Sequence, residues 1–208
     1  MPVIDLAFEI QGTTLPLDYG YALFGALSRI IPTLHADRRI GVHPIRGMKL
    51  ERGRLTLVPQ SRLRIRMPSE EIGTYLPIAG TRLDLDGSFL RVGVPRSEPL
   101  IPSTSLTSRL VTIGRHREPS PFLTSLRTQL SSLGVTGSLC LLPSSDPSRP
   151  GELLRRVIRI KDKKIVGYAI SVSGLSAEES LIVQERGLGS RRRMGCGIMV
   201  PETSKSVT

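Results

Sequence analysis

Near the C-terminal end of the sequence, residues 187–197 read Gly187-Leu188-Gly189-Ser190-Arg191-Arg192-Arg193-Met194-Gly195-Cys196-Gly197. We call this stretch the glycine loop; a strand-like run, residues 198–201, follows it. Glycine permits positive φ and a close approach of the backbone to a ligand. Successive N–H groups of such a loop form an anion-binding concavity, and guanidinium groups bind phosphate through paired donors. The pattern indicates a phosphodiester ligand, although a glycine-rich hairpin with solvated arginines fits the composition equally well.

The spacing of the glycine loop differs from that of the common nucleotide-binding loops. No G-x-x-x-x-G-K-[S/T] run is present, which excludes the mononucleotide P-loop. The pair Gly187 and Gly189 has no third glycine at the required offset and leaves no room for a following βαβ unit, which excludes the dinucleotide fingerprint.

Composition and charge point to a polyanionic partner. The chain has 208 residues, enough for one large or two small domains, and 39% of them are hydrophobic, enough for a buried core. Its formal net charge is +11, most of it from arginine. Four Tyr, four Phe and no Trp are too few rings for a binder that stacks single-stranded bases.

Cysteine usage and the N-terminus indicate a cytoplasmic protein. Cys140 and Cys196 form no CxxC and no zinc-ligand spacing. No signal peptide precedes the first strand-like run, and no stretch of 18 apolar residues could span a membrane. We predict no cofactor, no metal site and no membrane partner.

Hydrophobic periodicity predicts a β-α-β-β-α-β order in the first half. Strands are predicted over 3–10, 40–45, 54–58 and 61–66, a strand or a hairpin through Asp86-Gly87 over 81–94, and helices over 19–31 and 69–76. Asp18 is the expected N-cap of the first helix, and Pro32 is expected to end it. The buried stripe of that helix is predicted as Leu23, Leu27, Ile30 and Leu34. In residues 61–66, leucine and isoleucine should face the core and the three arginines should face outward.

The second half repeats this plan after a proline- and serine-bearing connector at residues 97–103. Strands are predicted over 108–113 and 135–142, a hairpin over 155–172, helices over 119–133 and 176–184, and a last strand after the glycine loop. Ser176 and Glu179 form a capping-box pattern. We therefore predict an α+β protein with two tandem ferredoxin-like (RRM-like) domains, 1–98 and 99–208, and a basic cleft between them. One larger α+β domain is the alternative.

Three histidines are the candidate proton-transfer groups: His35, His43 and His116. Taken singly, each fits a surface or structural role better than catalysis. The carboxylates form no two-metal pattern, and no nucleophile elbow is present. An RNA-cutting enzyme needs neither, because the 2′-hydroxyl of the substrate can attack the adjacent phosphate when a base, an acid and cations assist.

Four stretches resemble one family of proteins: residues 17–23 (LDYGYAL), Leu34-His35, residues 41–47 (GVHPIRG) and the glycine loop. They are similar to the CRISPR repeat-processing endoribonucleases, the sixth Cas family within the RAMP superfamily, and are closest to its MYXAN-type branch. The resemblance implies two ferredoxin-like domains and recognition of a repeat in precursor CRISPR RNA. It also implies metal-independent cleavage that leaves a 2′,3′-cyclic phosphate and a 5′-hydroxyl.

The resemblance also implies roles for individual residues. His35 matches the position of the catalytic histidine, and His43 is the reserve candidate. Ser28 stands where relatives carry a tyrosine late in the first helix, and a supporting lysine is replaced by Arg38, Arg39 or Arg46. The predicted catalytic set is thus His35, His43, Ser28 and Arg39. The predicted RNA-binding set is Arg38, Arg46, Gly187, Gly189, Arg191, Arg192, Arg193, Gly195 and Gly197.

Two other functions fit the same residues. A non-catalytic RNA-binding subunit of a CRISPR effector complex would share the fold and the glycine loop but need no histidine, and its partners would include other Cas proteins. An unrelated basic RNA-binding protein would use charge alone. A histidine at the end of the first helix favours the endoribonuclease, whose partner is CRISPR repeat RNA.

Overall fold

The computed structural model describes residues 1–50, 53–114 and 118–202. The chain divides into two compact units. The first holds Met1–Pro99 together with two short segments, Ile158–Lys163 and Arg192–Gly195, and the second holds the rest of the described chain. The sequence-based division into 1–98 and 99–208 does not include these two segments in the first unit. The domains 1–98 and 99–208, and a cleft between them, stay predictions.

The first unit contains eight strands and two α-helices within its described residues. The strands are β1 (Val3–Gln11), β2 (Thr14–Pro16), β3 (Gly41–Val42), β4 (Met48–Lys49), β5 (Arg54–Thr56), β6 (Arg62–Pro68), β7 (Arg82–Leu85) and β8 (Ser88–Pro99). The helices are α1 (Gly20–Ile30) and α2 (Ile72–Tyr75), with 3₁₀ turns at Pro32–His35, Ser69–Glu71 and Leu76–Ile78.

The main sheet of this unit is antiparallel, in the order β3-β6-β1-β8-β7. With α1 between β1 and β3 and α2 between β6 and β8, the four strands β3-β6-β1-β8 have the ferredoxin-like order. A separate three-stranded sheet, β2-β5-β4, is added to this plan.

Helix α1 covers the sheet with the apolar stripe that the sequence predicts. Leu23, Leu27 and Leu34 are buried, and Ile30 packs on the same core while partly exposed. The helix ends at Ile30, and Pro32 begins the 3₁₀ turn Pro32–His35, which we call the His35 turn. Proline has no N–H to continue the α-helical ladder, so the predicted stop is confirmed.

Two predictions for this unit are wrong. The N-cap of α1 is Tyr19, without a side-chain cap, and the Asp18 carboxylate instead accepts the backbone N–H of Arg159 at 2.9 Å. Arg66, predicted to face outward, is 1% exposed. It lies opposite Asp5 of β1, whose carboxylate compensates the buried charge.

The second unit repeats the ferredoxin-like order. Its elements are β9 (Ser105–Val111), α3 (Pro119–Ser132), β10 (Ser138–Leu141), β11 (Arg155–Ile160), β12 (Lys163–Ser173), α4 (Ala177–Arg186) and β13 (Val200–Pro201). The end of the β11–β12 hairpin, Ile158–Lys163, is the segment grouped with the first unit. The sheet runs β10-β12-β9-β13, and β11 also pairs with β12. The predicted α+β class with two ferredoxin-like halves is confirmed.

The start of α4 is fixed by the predicted capping box. Ser176 Oγ accepts the N–H of Glu179 at 3.1 Å, and the Glu179 carboxylate accepts the N–H of Ser176 at 2.8 Å. The same carboxylate accepts the N–H and the hydroxyl of Thr136. These bonds lower the pKa of Glu179 to about 2. Among the described residues, no helix has the length and apolar character that crossing a membrane requires.

Candidate functional site

The glycine loop folds on internal contacts that require glycine. A Cβ on Gly189 would lie 2.6 Å from the carbonyl oxygen of Thr112, and a Cβ on Gly197 would collide with the carbonyl oxygen of Leu188. Both residues have positive φ, 78° and 66°. A side chain at either position would therefore meet backbone as well as unfavourable torsion. These glycines serve close packing of the chain on itself.

The N–H groups of the loop also bond inside the protein. The donors are Gly187, Leu188, Gly189, Ser190, Gly195, Cys196 and Gly197, and each has a protein acceptor. Gly189, for example, donates to the Gln129 side chain at 2.8 Å, and Gly197 to the carbonyl oxygen of Leu110 at 2.8 Å. The expectation that these N–H groups form an open anion-binding concavity is therefore wrong. Contact between the loop glycines and RNA stays a prediction.

The three loop arginines donate to protein oxygens. Arg191, which has φ +66°, donates to the Ser190 hydroxyl at 2.9 Å and to the Thr112 hydroxyl at 3.3 Å. Arg192 Nη1 lies 3.4 Å from the carbonyl oxygen of Arg39. To bind RNA as predicted, these side chains would have to keep or give up their bonds to protein oxygens.

Arg193 links the glycine loop to the His35 turn. Its Nη1 donates to the carbonyl oxygen of Leu34 at 2.8 Å and to that of His35. The guanidinium carbon lies 5.7 Å from the centroid of the Phe24 ring. A Cβ on Gly20 would lie 2.7 Å from the Met194 carbonyl oxygen, so this part of the loop also packs against the start of α1.

The His35 imidazole is exposed and is held on one side by an aromatic ring. It stacks on Phe24 of α1 with a centroid separation of 5.0 Å and an interplanar angle of 15°. The stack fixes the plane of the imidazole, while Arg193 fixes the backbone that carries it. Sequence reasoning did not single out Phe24, because its helical spacing marks it only as a core residue.

Arg39 is engaged by carboxylates of the first unit. Its Nη2 lies 2.7 Å from Asp37 Oδ2 and 2.5 Å from Glu71 Oε1. Asp37 and Glu71 raise the pKa of Arg39, and Arg39 lowers the pKa of Asp37. Burial, with Asp37 and Glu71, raises the pKa of the nearby Tyr75 phenol to about 12, so it stays protonated at neutral pH. The guanidinium of Arg39 has less freedom to hold a substrate than its sequence position suggests.

Arg38 and Arg46 are the exposed cations of the predicted set. Among residues 1–50, 53–114 and 118–202, neither side chain has a hydrogen bond or an ion pair. Arg38 is three residues beyond His35 and follows the His35 turn closely in the chain. It can approach an anion near His35 without first losing a protein partner.

Ser28 directs its hydroxyl into the protein. The Oγ is buried and has no hydrogen-bond partner in the described part of the chain. Ser28 lies four residues after Phe24 on α1, so both residues share one face of the helix. Ser28 is therefore one helical turn from Phe24, the residue on which His35 stacks.

His43 lies in a buried ionic cluster instead of at the surface. Its Nε2 is 3.1 Å from Asp5 Oδ1, and Arg66 reaches the same carboxylate through Nε at 2.7 Å and Nη2 at 2.8 Å. Burial lowers the pKa of His43. Burial alone would raise the pKa of Asp5, but Arg66 and His43 hold it well below its usual range. With 7% exposure, His43 has little access to a substrate. Asp5 and Arg66 lie opposite each other on β1 and β6. This pairing depends on the strand register, which the sequence alone does not reveal.

The remaining candidates add no metal set. His116 lies outside the described residues. Within the described ranges, no three His, Cys, Asp or Glu side chains are grouped so that they could hold a metal ion. Phe24 and Arg193 thus contact His35, whereas Arg38 follows His35 by three positions and Ser28 follows Phe24 by one helical turn.

Comparison with known proteins gives one consistent result. The family model described as Cas6 Crispr matches residues 4–204. A relative from Myxococcus xanthus (strain DK1622), the CRISPR-associated endonuclease Cas6, is 40% identical over 201 residues, which is 97% of this chain and 82% of the relative.

Solved structures agree in fold. A Cas6-related protein from Pyrococcus furiosus superposes with a TM-score of 0.71 at 15% identity, covering 98% of this chain and all of that one. A structure named CRISPR associated protein Cas6 superposes with a TM-score of 0.67 at 12% identity, covering 97% of this chain and all of that one. At these identities the structures support the double ferredoxin-like fold.

Proposed function

Since the chain belongs to the Cas6 family of CRISPR-associated endonucleases, we propose that it binds CRISPR repeat RNA and cuts precursor CRISPR RNA without a metal ion. His35 is the general base. The observation that carries this proposal is an exposed imidazole whose ring plane is held by Phe24 and whose backbone is held by Arg193. Orientation of a base before the substrate arrives is what proton abstraction requires.

The proposed reaction begins at the ribose 5′ to the scissile phosphate. An imidazole nitrogen of His35 takes the proton of the 2′-hydroxyl, and the 2′-oxygen forms a bond to phosphorus. The bond from phosphorus to the 5′-oxygen breaks, and that oxygen takes up a proton from water. The products are a 2′,3′-cyclic phosphate and a 5′-hydroxyl. Imidazole suits the first transfer because its ordinary pKa lies near neutral pH.

Negative charge grows on the phosphate during this step, and cations stabilise it. Arg38 is the best placed of the predicted arginines because it is exposed, follows the His35 turn and has no ion pair in the described chain. Arg39 is held by Asp37 and Glu71, so we give it a role in fixing the segment after the turn. Buried His43 takes a structural role beside Asp5.

Ser28 contributes through position in this proposal. Its hydroxyl is buried on the helix face that carries Phe24, which disfavours direct contact with RNA. A hydroxyl so buried without a partner is unfavourable, and removing it by Ser28→Ala should leave the cleavage rate within a few-fold of wild type.

The test is cleavage of the cognate repeat RNA in excess EDTA by wild type, His35→Ala and His43→Ala, with thermal unfolding of each variant. A parallel substrate carries 2′-deoxyribose at the cleavage site, which removes the attacking hydroxyl. We expect wild type to cut, the deoxy substrate to resist, and His35→Ala to bind RNA without cutting. His43→Ala should lower the melting temperature and retain cleavage below that temperature.

Other outcomes would redirect the proposal. Cleavage of the deoxy substrate would refute attack by the 2′-hydroxyl, and loss of activity in EDTA would refute metal independence. A folded but inactive His43→Ala beside an active His35→Ala would move the base to His43. Tight binding with no cleavage by wild type would favour a non-catalytic RNA-binding subunit that acts with other Cas proteins.

A further inference from the structure

Arg156 of β11 carries a charge that no neighbouring group balances. Its Nε is buried without a hydrogen-bond partner, and no carboxylate among the described residues forms an ion pair with it. Arg64 and Arg66 pair with carboxylates, Glu98 at 2.8 Å and Asp5 at 2.7 Å, and half-buried Arg62 donates to the carbonyl oxygens of Pro59 and Ser61. Each of these arginines has a protein partner, and Arg156 differs from them in this respect.

A second arginine lies on the same sheet. Arg109 belongs to β9, and both β9 and β11 pair with β12. Arg109 is exposed between buried Ser108 and Leu110, and its side chain also has no hydrogen bond or ion pair in the described chain. Burial, followed by the positive charge of Arg109, lowers the pKa of Arg156. The two guanidinium groups thus repel each other in the free protein.

Two like charges at a partly buried place are unfavourable unless an anion joins them. Guanidinium groups donate in planar forks that match the oxygens of a phosphate, and a net charge of +11 favours polyanions. We propose that Arg109 and Arg156 together hold one phosphodiester group of a bound RNA strand. The identity of the ligand as RNA rests on the proposed function, whereas the requirement for an anion rests on the arginine pair alone.

The first test is the salt dependence of RNA binding. Repeat RNA with a single 2′-deoxy residue at the cleavage site is titrated by fluorescence anisotropy over a series of KCl concentrations, with Arg109→Gln, Arg156→Gln, the double variant and Arg127→Gln. Arg127 is an exposed arginine of α3 in the same unit and serves as the matched charge control. Each pair variant should weaken binding and reduce the slope of log K against log salt by about 0.7, the contribution of one phosphate on a single strand. Because one phosphate is shared, the double variant should also lose about 0.7 in all.

The second test is the stability of the free protein. Arg109→Gln removes the repulsion without emptying a buried site, so it should raise the melting temperature while it lowers RNA affinity. Inorganic phosphate should raise the melting temperature of wild type more than that of Arg109→Gln if the pair binds small phosphates as well. A phosphate effect of this kind with unchanged RNA slopes would overturn the assignment to RNA.

Other results overturn the pair itself. Slopes equal to wild type in both pair variants, an equal loss in Arg127→Gln, or a lower melting temperature in Arg109→Gln would each do so. Cleavage separates this proposal from the preceding one: wild type that binds with the predicted slope changes but does not cut refutes the nuclease and keeps the arginine pair. If wild type cuts RNA but the pair variants keep the wild-type salt slope, the nuclease stands and the arginine pair is refuted.

Discussion

Replacing Arg193 by alanine tests whether this arginine holds the His35 turn or holds RNA. The substitution removes the bonds from Nη1 to the carbonyl oxygens of Leu34 and His35 and the contact with Phe24. A hydrogen bond with a charged partner contributes about 1.5–3 kcal/mol, and a cation–π contact at an exposed site about 0.5–1 kcal/mol. One nitrogen serves both carbonyls and the side chain is partly exposed, so one bond at the low end of the range is counted. The turn then loses about 2 kcal/mol of stabilisation.

This loss translates into a cleavage rate through the population of the productive turn. A difference of about 2 kcal/mol corresponds to roughly a 30-fold change in an equilibrium. The single-turnover rate of Arg193→Ala at saturating protein should therefore fall by up to about 30-fold. Affinity for uncleavable repeat RNA and its salt slope should stay at wild-type values, because the removed bonds join two parts of the protein and none of them reaches a phosphate.

The assay pairs single-turnover cleavage with anisotropy at several salt concentrations. Arg193→Lys keeps the charge and loses the planar fork, so it should recover binding fully and rate only in part. Arg38→Ala is the control for direct phosphate contact. Its salt slope should fall by about 0.7, because an exposed arginine without an ion pair in the described chain is available to bind a phosphate. An Arg193→Ala variant with that slope loss and an unchanged rate at saturation would refute the positioning role.

Three further predictions concern stability. Burial lowers the pKa of His43, so below about pH 6.5 the unfolded chain binds a proton more readily than the folded one, and wild type loses stability on acidification. In His43→Gln, the free energy of unfolding measured in urea should change less between about pH 6.5 and 5. The same pH dependence in wild type and variant would contradict this. Gly197→Ala should unfold at clearly lower temperature than Gly151→Ala, because both have positive φ but only the first places a Cβ against backbone; equal melting temperatures would count against it. Ser176→Ala should lower the free energy of unfolding in urea by about 1 kcal/mol. The stabilisation by the Glu179 carboxylate should be lost as the pH drops from 4.5 to about 2, and Glu179→Gln should remove this pH dependence.

Local signals in the sequence predict the helices of the fold well. Pro32 ends α1, and the Ser176 and Glu179 pair starts α4, because both effects depend on residues within one turn of the helix. The ferredoxin-like order follows from the alternation of these helices with strands. Short strands such as Gly41–Val42 are less well predicted, since their extent depends on the partner strand.

Strand faces are where the sequence misleads. The alternation over 61–66 places Arg66 with Arg62 and Arg64 on one side, yet Arg66 is buried. Its burial depends on Asp5, which lies 61 positions away and faces it only in the folded register. The pairing of β3 with β6 likewise leads His43 to Asp5, so a histidine that is a catalytic candidate in the sequence lies buried beside Asp5 and Arg66.

The site is predictable to the same extent. The prediction of His35 rests on the family resemblance, whereas the residues that contact it, Phe24 and Arg193, come from a helix face and from a loop 158 positions further along. Ser28 and Arg39 are also predicted catalytic residues, but the hydroxyl of Ser28 is buried and two carboxylates hold the guanidinium of Arg39. Such effects of neighbours have no counterpart in local sequence.

The glycine loop shows why activity alone misjudges such a motif. Its glycines permit close internal packing, and Arg193 connects it to the backbone of His35. On the proposed mechanism, a substitution in the loop that shifts Arg193 also displaces His35 and lowers cleavage, even where no RNA touches the loop. Loss of activity on changing Gly189 or Gly197 is consequently no measure of RNA contact. The salt slope is such a measure, because it counts the phosphates that the protein neutralises and is insensitive to the orientation of an imidazole.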